Sequence, residues 1–325
     1  MQRLTSIISP LLSGLGLILA VVVLNFLLIH FSPGDPVEVI VGEMGGASEE
    51  LIARLREQYG LDKPLLVQLG IYIGKVVTGD LGYSFYYSSP VLELLLQRLP
   101  ATILLVLTAL VVAVLAGTVA GTISARRPDG IGSHLVTIFS LVGFSAPVFW
   151  IGMMLLILFA SIWPVFPVAG MQSMRKPDGF AWYLDILHHL VLPATTLGLI
   201  YVAYYSRLAR TSMIEALGQD YIRTARAKGV SEGRVVWKHA LRNALIPIVT
   251  MVGLQFGQLF AGAVLVETVF NWPGLGRLAY DSILRRDYPT LLGILLFSSM
   301  LVLIANALTD LAYRRIDPRM RKART

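Results

Sequence analysis

The chain has 325 residues, 55% of them hydrophobic and only 14% charged, with a mean hydropathy of +0.69 and a net charge of +7. That is too little charge to cover a water-soluble globular domain, and the apolar residues fall in blocks of roughly 20 or more, long enough to cross a bilayer. No cysteine is present, which excludes a disulfide framework, a thiolate metal site and a cysteine nucleophile.

Six apolar spans are expected, at about 11–31, 101–123, 136–160, 190–208, 244–268 and 289–313, making an all-α polytopic membrane protein of a single domain, 1–325. Arg3 precedes the first span, but no small-residue cleavage site follows before Pro33, so it reads as a retained anchor rather than a signal peptide. The segment 32–99 is long enough to fold on itself as an external lid. Within it Ser48 is suited to cap a helix with Glu49 and Glu50 in its first turn, an apolar face of Leu51, Leu55 and Tyr59, and a stop at Gly60. Pro64 opens a second helix that reaches about Val77.

Gly117 and Gly121 in the second span, and Gly253 and Gly257 in the fifth, are small-xxx-small pairs that let helices approach closely in lipid. Pro147 in the third span and Pro193 in the fourth should bend or break regular helix, each lacking an N–H donor. His188 and His189 are adjacent, so on a helix they point about 100° apart and suit the membrane interface better than a metal; no metal is assigned. Asn25, Gln255, Gln258 and Asn306 are polar groups at depth, which face other helices or a water-filled path. Tyr201, Tyr204, Gln255 and Gln258 are the candidates for lining a cavity.

Segments between spans sort into two sets. The N-terminus, the 124–135 loop, the 207–243 loop and the tail carry 17 Lys and Arg against 10 in the longer opposite segments, so both termini are expected in the cytoplasm. The basic balance therefore reads as orientation plus attraction to anionic membrane lipid, and not as nucleic-acid binding.

The 207–243 loop, RLARTSMIEALGQDYIRTARAKGVSEGRVVWKHALRN, is longer than a connector needs. Asp220 is suited to cap a short helix from Tyr221 to Lys228, which Gly229 ends. Ile222, Ala225 and Gly229 form a small, smooth stripe, and Arg223 and Arg226 fall on another face, a shape suited to a groove on a cytoplasmic partner.

Here the sequence resembles the binding-protein-dependent ABC permeases, and within them the dipeptide and oligopeptide branch. The resemblance rests on DYIRTARAKG at 220–229 followed by HALRNALIP at 239–247, together with SPGDPV at 32–37, GDLGYSF at 79–85, RLPATILL at 98–105 and ETVFNWPGLGRLAYDSILRRDYP at 267–289. Where the wider family has Glu-Ala-Ala, this chain has Arg223, Thr224 and Ala225, so the acidic contact is not carried over. The resemblance implies the type I ABC importer permease fold and the inner membrane of a bacterium. It implies a second homologous permease forming a heterodimer, two cytoplasmic ATPase subunits that hold ATP and Mg, and an external substrate-binding protein. On it, Asp220, Tyr221, Ile222, Arg223, Ala225, Arg226 and Gly229 are the expected residues of coupling to the ATPase, and no cofactor is expected on this chain. Di- and oligopeptides are the expected solutes, with glutathione or nickel complexes as alternatives in the same branch.

This chain is not expected to be an enzyme. It has no GxxxxGK[ST] phosphate loop, the fragment GIYIGK at 70–75 having the wrong spacing, and neither HExxH nor GxSxG occurs. A secondary transporter, the rival from another class, would need midplane carboxylates or an inverted repeat, and the sequence displays neither.

Overall fold

In a computed structural model, which describes residues 2–31, 48–50 and 63–316, the apolar blocks fold as helices. In chain order these are α1 (Gln2–Phe31), α2 (Leu65–Val77), a two-stranded hairpin of β1 (Tyr83–Ser84) and β2 (Ser89–Pro90), α3 (Val91–Arg126), α4 (Ile131–Ser145) and α5 (Val148–Leu156). A π-helical turn, Ile157–Ile162, follows, then α6 (Phe180–Leu217), α7 (Asp220–Ala227), the single turn α8 (Glu232–Arg234) and a second π-helical turn, Val235–Ala240. Three more helices, α9 (Leu241–Val269), α10 (Leu275–Arg285) and α11 (Tyr288–Ile316), complete the described chain.

Every expected span but the third falls wholly on helical residues. Among the described residues α3, α6 and the Tyr288–Thr309 part of α11 are long and apolar enough to cross a membrane, and Glu232–Gly253 with Gln255–Val269, bent by 54° where they meet, is a fourth if the pair is counted as one span. The third expected span is divided, because Pro147 has no N–H to continue the ladder and restricts Ala146 before it; α4 stops at Ser145 and α5 starts after Pro147. Pro193 does not interrupt its helix: α6 runs through it. In the segment 32–99, Pro64 occupies the position before α2, which ends at Val77 as expected, and Glu49 and Glu50 are helical just after Ser48. The face of Leu51, Leu55 and Tyr59, the stop at Gly60 and the SPGDPV motif lie outside the described residues.

The described chain divides into two units, one from the first 99 residues with Leu278–Ile304, the other from Pro100–Arg277 with the segment that begins at Ala305. In the first unit α1 packs on α2. Asn25 Nδ2 donates to Leu292 O at 3.1 Å, and His30 bridges Phe26 O at 2.9 Å and Gln68 Oε1 at 2.7 Å. Asp287 is fully buried and precedes α11, where its Oδ1 accepts from Thr290 N–H at 3.2 Å as an N-cap. Its Oδ2 accepts from Thr290 Oγ1 and from Ser84 Oγ, both at 2.6 Å, so the hairpin is tied to the start of α11.

In the second unit α6 packs on α4, α5 and α9. The expected close approach at the second span is real. A Cβ on Gly117 would stand 2.6 Å from Tyr205 Cβ, and one on Gly121 would stand 2.6 Å from Ala209 Cβ and collide with Ser206 O. Only hydrogen at these two positions admits α6 against α3. Gly253 is likewise filled by the side chain of Thr309. The core holds Leu105, Ala109, Leu197, Tyr205, Leu259 and Trp272, all below 2% exposed. On the other face of α3, Leu107, Val111, Leu115, Val119 and Ile123 recur every fourth residue and are 44% to 62% exposed. An unbroken apolar stripe of that length matches lipid and not water.

Candidate coupling site

The loop between α6 and α9 is an ordered structure built on one buried cluster. Gln219, in extended conformation, holds the cap position of α7, and Asp220 is its first helical residue. The expectation that Asp220 caps the helix is thus corrected by one position: its carboxylate lies in the first turn, where it favours the helix dipole, and meets Arg223 Nη1 at 3.4 Å. Both side chains are well exposed, so that pair contributes little.

Gly229 ends α7 as expected, with φ +75°. Its N–H donates to Arg226 O at 2.9 Å and the following Val230 N–H to Ala225 O at 3.2 Å. These are the paired bonds of a Schellman ending, which needs the left-handed backbone that glycine adopts freely. Val230 then packs on the same cluster.

The stripe expected to face a partner is corrected more substantially. Ile222 is 0% and Ala225 8% exposed, buried with Met213, Val235, Val236, Ala240 and Ala244 of their own chain. The reason is simple: Ile222 is the one large aliphatic side chain of α7, and the last turn of α6 and the π-helical turn before α9 offer it a dry surface. The outward face of α7 is instead Tyr221, Arg223, Thr224, Ala227 and Lys228, followed by Gly229. Arg226 turns toward Glu232 and grips it with two bonds, Nε to Oε1 at 2.8 Å and Nη2 to Oε2 at 3.3 Å. Those hydrogen bonds hold the Glu232 carboxyl below the usual carboxylate range.

Tyr201 and Tyr204 sit half-buried on α6, packed against the main core, and Gln255 and Gln258 lie on α9, with which α6 packs. Gln255 is buried, its Oε1 without a hydrogen-bond partner among the described residues, while Gln258 is exposed. His188 Nε2 bonds Val165 O and His189 Nδ1 bonds Asp185 O, each at 2.8 Å, so the two rings serve separate backbone contacts.

A buried polar knot, not singled out from the sequence, lies elsewhere in the same unit. Glu267, 0% exposed, accepts from Thr102 Oγ1 at 2.6 Å and from Arg277 N–H at 3.0 Å. Thr102 Oγ1 in turn accepts from Leu275 N–H at 2.8 Å, and Trp272 Nε1 donates to Ala101 O at 2.8 Å. A side chain on Gly274 would occupy the space of the Glu267 carboxylate. The signal available was an acid inside an apolar stretch beside the WPGLG turn.

Comparison with known proteins agrees with this architecture. Residues 117–322 match the model of the binding-protein-dependent transport system inner membrane component, and residues 3–106 that of the N-terminal part of the membrane component. The chain is 41% identical over 333 residues to the dipeptide transport system permease protein of Escherichia coli (strain K12), covering 96% of this chain and 98% of that one. It is 42% identical over 319 residues to the di/tripeptide transport system permease protein of Pseudomonas aeruginosa (strain UCBPP-PA14), covering 94% and 95%. Among solved structures, an inward-facing methionine ABC transporter, MetNI, aligns with a TM-score of 0.54 at 17% identity, over 69% of this chain and 97% of that one, a likeness of fold.

Proposed function

The chain belongs to the family of binding-protein-dependent transport system inner membrane components, and from that premise we propose that it is one of two permease subunits of an ATP-driven importer of dipeptides and oligopeptides. The observation that carries the reading is the 41% identity to a dipeptide permease across 96% of the chain. The paired subunit is a second, homologous permease, and the solute passes between the two. Two cytoplasmic ATPases hold ATP and Mg and hydrolyse it, and an external binding protein delivers the peptide. The bias of 17 basic residues against 10 supports cytoplasmic termini and a cytoplasmic 207–243 loop, with 32–99 as an external lid.

Coupling runs through α7. Its outward residues, Tyr221, Arg223, Thr224 and Lys228, dock on the ATPase, and Asp220, Arg226 and Gly229 shape the helix that presents them. Ile222 and Ala225 play a different part in the same task. Their burial against Met213 at the end of α6 and Val236 and Ala240 before α9 supports a rigid joint, so that displacement of α7 is passed to two long helices at once. Those helices carry Tyr201, Tyr204, Gln255 and Gln258, the residues proposed to line the pathway. Alternating access then follows from the ATPase cycle, with no chemistry performed by this chain.

The test is co-purification of the chain with its ATPases and second permease, reconstitution in nanodiscs, and ATPase assay with a binding protein loaded with short peptides. Peptide-dependent stimulation is expected. A chain that transports without ATPase partners is a secondary transporter, and the proposal is then wrong.

A further inference from the structure

Beside the coupling helix, and sharing Arg226 and Val236 with it, lies an open cavity of about 690 Å3. Three arginines, Arg126, Arg127 and Arg226, line it against a single acid, Glu232, which Arg226 already engages. The cavity therefore has a surplus of positive charge with hydrogen-bond donors arranged in planar forks, the chemistry that takes a phosphate. Its rim is fixed in place: Arg210 Nε donates to Ser133 Oγ at 3.1 Å and its Nη2 to Pro128 O at 3.4 Å, while Ser124 Oγ donates to Ser133 Oγ at 3.0 Å.

What distinguishes this cavity from an ordinary basic loop is its apolar border. Ile123 and Ile131 are both part of its lining and both largely exposed, at 54% and 80%. Ile123 is also the last member of the stripe Leu107, Val111, Leu115, Val119, Ile123 along α3. On the neighbouring α4, Ile131, Leu135 and Ile138 make a second exposed apolar row, 56% or more exposed. Two hydrocarbon-compatible tracks thus run from the membrane-facing surface to a cluster of arginines, an amphipathic shape complementary to a molecule with a phosphate at one end and acyl chains at the other.

We propose that this cavity binds the headgroup phosphate of an anionic phospholipid from the adjoining leaflet, Arg126 and Arg127 holding the phosphate and the α3 and α4 stripes holding the acyl chains. Because Arg226 forms one wall and also belongs to α7, a bound headgroup sits against the coupling helix and braces it. This inference does not depend on which solute is transported.

The measurement is native mass spectrometry of the complete transporter, purified in detergent and titrated with phosphatidylglycerol or with phosphatidylcholine. Phosphatidylglycerol is expected to stay bound preferentially to the wild type. With about 1 kcal/mol for each basic residue at such a site, roughly five-fold per arginine, the double variant R126Q/R127Q should weaken retention by about twenty-five-fold. R126K/R127K, which keeps the charge but not the planar forks and controls for folding, should fall between the glutamine variant and the wild type. Equal retention of the two lipids by the wild type overturns the proposal even if the glutamine variant does not fold, and so does undiminished retention by that variant. Displacement of the lipid by millimolar inorganic phosphate identifies a free-phosphate site and overturns the lipid assignment.

Discussion

The hydroxyl of Thr102 donates to Glu267 Oε1 across 2.6 Å and at the same time accepts from the N–H of Leu275 at 2.8 Å, joining two stretches 165 residues apart in the chain. Both partners are buried, so neither has water as a substitute. Replacing Thr102 by valine keeps the volume and removes both bonds, leaving Glu267 Oε1 and the Leu275 N–H unsatisfied, while Arg277 N–H still serves Oε2, at a cost of about 1–3 kcal/mol for each unsatisfied group. The expected result is an apparent Tm lowered by several degrees in detergent, with Thr102→Ser close to wild type. Equal melting of Thr102→Val and wild type at one scan rate would show that the knot carries no stability.

Ser84 and Asp287 form the corresponding tie in the first unit. Asp287 does two things there, capping α11 through Thr290 N–H and accepting from Ser84, and the two can be separated. Ser84→Ala removes the tie to Asp287 together with the bond that Ser84 Oγ accepts from Tyr87 N–H at 3.1 Å, leaves the cap intact, and should release the 83–90 hairpin, costing about 1–2 kcal/mol. Asp287→Ala removes cap and tie together and should cost more, an N-cap alone being worth about 0.5–2 kcal/mol. Hydrogen exchange resolved by peptide is the suitable readout. Faster exchange confined to the hairpin in Ser84→Ala, and extending into the first turn of α11 in Asp287→Ala, is the expected pattern; identical profiles contradict it.

Gly121 tests the packing of α3 on α6. Alanine there places a methyl carbon against Ser206 O and Ala209 Cβ, backbone and near-backbone atoms that cannot swing aside. Overpacking of this kind costs about 1–3 kcal/mol. Gly74→Ala, in α2 with nothing within 4 Å of the added carbon, is the matched control and should be neutral or slightly stabilising, since alanine is the better helix former. A Gly121→Ala protein as stable as the control would mean that the helices separate at no cost.

Much of this was legible in the sequence, for reasons that the particular residues make plain. Span positions follow from apolar run length, and Gly229, Pro64 and Pro147 mark ends because their backbone constraints act locally. The glycine pair Gly117 and Gly121 is equally local: spacing alone says that one helix face is smooth. The facing of α7 was not legible. Ile222 and Ala225 form a stripe whichever way they point, and only the position of Met213, Val235 and Val236 decides that the stripe turns inward. The role of GDLGYSF, RLPATILL and ETVFNWPGLGRLAYDSILRRDYP was hidden for the same reason. The first and last meet at Ser84 and Asp287, the second and last at Thr102 and Glu267, pairings between residues far apart in the chain that no local pattern encodes.

Gly229 separates the structural importance of the 207–243 loop from the coupling role proposed for it. Its φ of +75° lies in the left-handed region, where a side chain costs about 1–2 kcal/mol per residue and asparagine is among the better tolerated replacements. A Cβ there meets nothing within 4 Å, so a substitution strains the backbone without a clash. Gly229→Leu should therefore fray the end of α7 and disturb the outward face beside it, while leaving the spans inserted. The expectation is normal amounts of chain in the membrane, normal association with the proposed second permease, and peptide-stimulated ATPase activity reduced several-fold. Gly229→Asn should fall between Gly229→Leu and wild type, because asparagine tolerates the conformation that leucine resists. If Gly229→Leu couples ATP hydrolysis to uptake as well as wild type does, the end of α7 is not part of the docking surface. In that event, the outward residues Tyr221 and Arg223 become the ones to replace next.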